Sequence, residues 1–290
     1  MNFRMIRHII GWLLLFECVF LAVPALTAVV YRERVVVYYL GTMALCGLLG
    51  WLCIRRKPPV TALYAREGFV IVAMSWILLS LMGALPLWLS REIPSFVDAL
   101  FETVSGFTTT GASILPEVER LSHAALIWRS FTHWVGGMGV LVFIMAFVPL
   151  SGGRNMHIMK AESPGPSVSK LVPRVRTTAM ILYALYMALT VIEFIFLLCG
   201  RMSVFDALNT AFSTAGTGGF GVRNDGMAGY SNYLQTVVTV FMLLFSINFG
   251  CYYLLLLRRI REAFNAEVRV FLLIVAAAVA VITVDLRLNG

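Results

Sequence analysis

Seven runs of about 20 apolar residues follow one another along the chain, each long enough to cross the hydrocarbon core of a bilayer. They cover approximately residues 9–30, 36–54, 69–89, 123–150, 177–200, 232–257 and 268–287. Backbone inside lipid must satisfy its own polar groups, so the runs predict helices and the chain an all-α polytopic membrane protein. Composition agrees: 60% of the 290 residues are hydrophobic and 13% charged, more apolar surface than a soluble domain of this length can bury. The first run follows the basic Arg4 and Arg7 but is long enough to span, so no cleavable signal peptide is expected.

The net charge of +8 is distributed by loop. Arg4 and Arg7, then Arg55, Arg56, Lys57 and Arg66, then Arg154, Lys160, Lys170, Arg174 and Arg176, then Arg258, Arg259, Arg261 and Arg269 fall on one side of the expected topology. Arg32, Arg34, Arg91, Arg120, Arg201 and Arg223 fall on the other. The excess of basic residues places the N-terminus in the cytoplasm. There is no basic amphipathic helix and no nucleic-acid motif, so no nucleic-acid partner is expected. Cys18, Cys46, Cys53, Cys199 and Cys251 lie in or beside apolar runs without metal-ligand spacing, and read as small apolar residues. No nucleophile–base pair or nucleotide loop is evident, so the chain does not read as an enzyme.

Two segments between the runs are too polar and too short to span. Ser95–Phe96–Val97–Asp98–Ala99–Leu100 leads into Thr108–Thr109–Thr110–Gly111, and Ser203–Val204–Phe205–Asp206–Ala207–Leu208 leads into Gly216–Thr217–Gly218–Gly219. Each opens with a Ser-x-x-Asp helix start. The helix-compatible part reaches about halfway across the core at 1.5 Å per residue. Residues 94–113 and 203–221 are therefore expected to be re-entrant: a half-helix inward, extended backbone out. The copies imply a repeat of transmembrane helix, re-entrant pore loop and transmembrane helix. The expected organisation is a leading hairpin over 1–60, repeats over 69–150 and 177–257, and the first helix of an incomplete third repeat over 266–290.

A cation entering a narrow filter must shed water, and backbone carbonyls can replace it. Glycine permits the dihedrals, and the negative end of each half-helix favours a cation. Thr108, Thr109, Thr110, Gly111 and Ala112 meet this demand, as do Gly216, Thr217, Gly218, Gly219 and Phe220. Without a gap, Gly111 pairs with Gly219. A shift of one residue pairs Thr110–Gly111 with Thr217–Gly218, and is preferred because it matches Thr-Gly to Thr-Gly.

Together with His133–Trp134–Val135–Gly136–Gly137–Met138–Gly139–Val140 and Lys160–Ala161–Glu162–Ser163–Pro164–Gly165–Pro166, the Thr-Thr-Thr-Gly filter resembles the TrkH/KtrB family of potassium uptake proteins, the TrkH branch most. The resemblance runs from about residue 9 to 287. It implies a channel-like potassium translocator of the bacterial inner membrane, a homodimer, with a cytosolic nucleotide-binding regulatory subunit of the TrkA kind. Potassium is the transported ion and no cofactor is expected. By position, Thr109, Thr110, Gly216 and Thr217 would line the ion sites, with Gly111 and Gly218 as filter glycines. The family implies four repeats, so this chain is expected to be truncated, a fragment or one half of a split protein.

Two further functions remain open. Glu17 and Glu193, acids within spans one and five, could couple transport to another ion, although pairing with a polar neighbour is also expected of a buried acid. The chain could instead be a non-conducting partial subunit that assembles with a complete transporter. Glu102 is expected to brace the first loop by hydrogen bonds. Gly136, Gly137 and Gly139 are expected to pack closely on a pore helix or to form a hinge. Asn248 is expected to line a vestibule or to join helices, and the loop 151–176 to dock a partner or anionic lipid or to be a solvated linker.

Overall fold

The architecture is that of a computed structural model describing residues 2–56, 65–139 and 175–289. Helices α1 (Phe3–Phe20) and α2 (Ala22–Val30) form one apolar stretch interrupted at Leu21. Pro24 causes the break, since it offers no N–H to the Phe20 carbonyl and its ring crowds it. Helix α3 (Val36–Ile54) packs on α1 where Gly11 and Gly50 bring the backbones together. Next come α4 (Ala65–Leu89), α5 (Phe96–Phe107), a 3-10 turn at Val118–Arg120, and α6 (His123–Met138). The order then recurs as α7 (Val175–Cys199), α8 (Val204–Ala215) and α9 (Asn232–Ser246). Residues 1–245 form one compact unit. A second unit, residues 246–290, contains α10 (Phe249–Leu256), α11 (Ile260–Ala263) and α12 (Ala266–Asn289).

The structure is helical, with no strand among the described residues. Phe3–Val30, Val36–Ile54, Arg66–Leu89, Ala179–Cys199 and Ala266–Leu288 are each long and apolar enough to cross a membrane. Span six differs from its expectation: 232–257 is not one helix but α9 and α10, separated at Ile247–Asn248. The Asn248 side chain accepts the Gly250 N–H at 2.9 Å and caps the restarted helix. The rest of span four beyond Gly139 lies outside the described residues. So do Arg154, Lys160, Lys170 and Arg174 of the expected cytosolic loop, and the Lys160–Pro166 stretch.

Both inserted segments return to the level at which they began. Glu92, before α5, accepts the N–H of Ser122, just before α6, at 2.7 Å. In the second copy the Tyr233 hydroxyl, at the start of α9, donates to the Phe196 carbonyl near the end of α7 at 3.2 Å. A segment that crossed would leave these ends about 30 Å apart, so both are re-entrant. Each half-helix has 12 residues, about 18 Å.

Helix α6 sits between the half-helices, packed on α5 and on α8. Its N-terminus is held by acids from two other parts of the chain. Besides Glu92, Glu33 accepts the His123 N–H at 2.8 Å and the Ala124 N–H at 3.1 Å. A carboxylate there satisfies orphan donors and meets the positive end of the helix dipole.

Candidate cation filter

The half-helices start alike. Ser95 Oγ accepts the Asp98 N–H at 3.3 Å, and Ser203 Oγ accepts the Asp206 N–H at 3.0 Å. They also end alike. After α5, Thr109 N–H donates to Gly106 O at 3.0 Å and Thr110 N–H to Ser105 O at 2.9 Å. After α8, Thr217 N–H donates to Thr214 O at 2.8 Å and Gly218 N–H to Ser213 O at 3.2 Å. This paired return is the Schellman motif. Its left-handed residue is Thr109 in one copy and Thr217 in the other, both with φ 55°, where glycine is usual. Two residues on, Gly111 has φ 74° and Gly219 φ 85°.

The geometry therefore overturns the preferred one-residue shift. Thr108 corresponds to Gly216, Thr109 to Thr217, Thr110 to Gly218 and Gly111 to Gly219, without a gap. Matching Thr-Gly to Thr-Gly weighed side-chain identity, whereas the backbone hydrogen bonds set the turn.

The two loops meet at their backbones. A Cβ on Gly111 would collide with the Gly218 carbonyl, so only glycine allows this approach. Thr108, Thr110, Ala112, Thr217 and Gly219 are exposed, Thr109, Gly111 and Gly218 half-buried, and Gly216 is buried under His133. Thr108 Oγ1 donates to the Val104 carbonyl at 2.7 Å and lies 2.9 Å from Thr110 Oγ1.

The outgoing backbone of the first loop is tied to its half-helix. Ser105 Oγ donates to the Ala112 carbonyl at 2.6 Å. Glu102 accepts from Ser113 Oγ at 2.8 Å and from the Ile114 N–H at 3.1 Å, the bracing role expected of it. Its counter-charge, which the sequence reading missed, is Arg129 on α6. Arg129 Nη2 lies 2.6 Å from Glu102 Oε1, with the Arg129 and Glu102 side chains 2% and 0% exposed. Arg129 Nε donates to the same oxygen at 2.7 Å, and Nη2 reaches Ser113 Oγ at 3.2 Å. The available signal was an arginine inside an apolar run, which demands a partner.

Helix α6 also shapes the second loop. His133 is fully buried, shares a hydrogen bond with Ser213 Oγ at 3.1 Å, and stacks on Phe220 with ring centroids 4.1 Å apart. Gly136 allows the close approach of the Phe107 carbonyl at the end of α5, and Gly137 abuts Gly216 at the end of α8. Close packing of this glycine pair on the pore helices is thus observed.

Further out, Asn224 straps the outgoing segments together. Its Oδ1 accepts the Val118 N–H at 2.8 Å, its own N–H donates to Glu119 at 2.9 Å, and Nδ2 donates to the Pro116 carbonyl at 3.2 Å. The Tyr230 hydroxyl donates to Asp206 at 3.2 Å. Burial, then the neighbouring Asp206 carboxylate, push the Tyr230 pKa up to about 12.

The two acids within the spans behave alike. No hydrogen-bond partner among the described residues reaches the carboxylate oxygens of Glu17 or of Glu193, contrary to the pairing expected of them.

Spanning helices that bracket two re-entrant loops define a multi-pass membrane protein of the pore-loop transport class. The family described as TrkH, cation transport protein, matches residues 32–289, and the chain belongs to it. That is a family of transporters, not of enzymes. The chain is 35% identical to the Trk system potassium uptake protein TrkH of Salmonella typhimurium, over 99% of this chain and 60% of that protein. It is 32% identical to the Trk system potassium uptake protein TrkG of Escherichia coli, over 97% and 59%. The crystal structure of the potassium transporter TrkH from Vibrio parahaemolyticus superposes with a TM-score of 0.73 at 32% identity, over 87% of this chain and 52% of that one. The chain thus spans about 60% of the length of the curated relatives it matches.

Proposed function

We propose that this chain contributes two of the loops of a potassium-selective filter and serves potassium uptake across the bacterial inner membrane. The observation that carries the proposal is the repeated turn: two half-helices end in the same backbone geometry, and their outgoing loops meet at Gly111 and Gly218. Carbonyls of Thr108–Ala112 and Gly216–Gly219 replace the water that a potassium ion sheds, with the ion held at Thr109 and Thr110 and, in the gapless register, at Thr217 and Gly218, so that Gly218 takes the place the shifted alignment gave to Gly216. The half-helix C-termini add a favourable potential for a cation. Potassium is cargo here.

The organising units are the leading hairpin 1–60, the repeats 69–150 and 177–257, and 266–290 as the opening helix of a third repeat. The N-terminus is cytoplasmic, as the basic loops require. The assembled transporter is a homodimer with a cytosolic nucleotide-binding regulatory subunit of the TrkA kind. Names of the relatives as Trk system potassium uptake proteins support the ion and the system.

The test is rubidium tracer uptake into proteoliposomes holding this chain, with sodium as competitor. Uptake resistant to excess sodium is expected. Uptake equally suppressed by sodium would exclude a potassium filter, and no uptake would exclude conduction by this chain alone.

A further inference from the structure

A buried ion pair contributes little net stability compared with well-packed apolar side chains, yet it holds its neighbours in one arrangement. The Glu102–Arg129 pair has this character, and its surroundings are lopsided. The position corresponding to Glu102, 108 residues on, is Thr210, and alignment of the following helices on their Ser122 and Ser231 caps matches Arg129 to Val238, so the second repeat cannot form this ion pair. The second loop is reached by Arg129 instead. Its guanidinium carbon lies 4.2 Å from the ring centroid of Phe220, a buried residue directly after Gly219. A desolvated guanidinium over an aromatic face is a strong form of this contact. One turn along α6, His133 stacks on the same ring. One guanidinium therefore grips the outgoing backbone of the first loop, through Glu102 and Ser113, and that of the second, through Phe220.

We propose, resting on the filter reading above, that Arg129 is a positioning residue for both loops at once: it sets how Gly111 stands against the Gly218 carbonyl, and thereby the preference of the filter for potassium over sodium. Carbonyl filters discriminate by cavity size or by the number and field of the carbonyls, and both depend on loop spacing. Lysine cannot take over the role. It supplies charge to Glu102 but neither the planar fork that also reaches Ser113 nor a flat face for Phe220. Leucine at 220 keeps apolar volume and removes the ring.

The experiment is thermal unfolding of the purified chain in potassium, sodium or choline chloride at equal ionic strength, over a concentration series. Ions that bind the folded state raise its midpoint by mass action, so the series yields an apparent affinity for each ion without any flux. Wild type is expected to be stabilised by potassium at lower concentration than by sodium. R129K and F220L are each expected to narrow that preference by about threefold or more, with the double variant losing less than the product of the singles. If either single variant fails to unfold cooperatively in choline, E102Q/R129Q replaces it, since it removes both charges and leaves none unpaired. The same narrowing is expected of it. A wild type without ion preference would overturn the filter reading and this inference with it. A wild type that discriminates, beside cooperative variants with an unchanged potassium-to-sodium ratio, would overturn this inference alone and leave the pair a simple cross-link.

Discussion

Gly111 and Gly219 occupy equivalent places in the two turns and share a positive φ, but differ in their neighbours. A side chain at Gly111 meets the Gly218 carbonyl, whereas a Cβ at Gly219 meets nothing within 4 Å. G219A should therefore cost only the left-handed strain, about 1–2 kcal/mol. G111A should cost clearly more, because backbone must move as well. Thermal unfolding of the two variants checks the difference, and equal losses would mean that the loops do not touch at that point. The glycines were legible because open backbone dihedrals and carbonyl ligation both ask for them. Register was not legible. A β-branched threonine in the left-handed region contradicts local propensity, and only the hydrogen bonds from Thr109 and Thr110, and from Thr217 and Gly218, show which residues correspond.

The half-helices, being local, were readable: a serine cap, an acid three residues later, and a length too short to span. What ties them down was not, because the partners are far apart in sequence. Glu102 and Arg129 are separated by 27 residues, Asn224 and Val118 by 106. Removing one partner of the buried pair leaves an uncompensated charge, so E102A should destabilise the protein by about 3–5 kcal/mol. Chemical unfolding of E102A, compared with a rescue by E102A/R129M, measures this; a single variant no less stable than the double would contradict it. The anchor at Tyr230 has a pH signature. Its folded pKa of about 12 stands above the ordinary value of 10, so its contribution is intact below pH 10 and is lost as pH rises towards 12. The thermal unfolding midpoint of wild type should fall relative to that of Y230F over that window, and an unchanged difference between the two would contradict the anchor.

Across the whole molecule, five of the seven expected spans are long apolar helices among the described residues and were legible in hydropathy, while the interruption of span six at Ile247–Asn248 was not. Ile247 is apolar, and a lone asparagine does not announce a cap inside an otherwise continuous run. Orientation is testable with the native thiols. Cys199 is exposed at the end of α7 that faces outward in the proposed topology, and Cys53 lies at the cytoplasmic end of α3. A membrane-impermeant maleimide added to spheroplasts should label Cys199 and lose its signal in C199S. Labelling of Cys53 from that side would reverse the topology. The paired turns also determine how the protein treats an ion of the other sign. The amides of Thr108, Thr109 and Thr110, and of Gly216, Thr217 and Gly218, all donate to carbonyls of the half-helix behind them. A chloride ion drawn to either turn would find those six backbone donors already engaged and facing the half-helix. Each half-helix thus ends by keeping its last amides from an approaching anion.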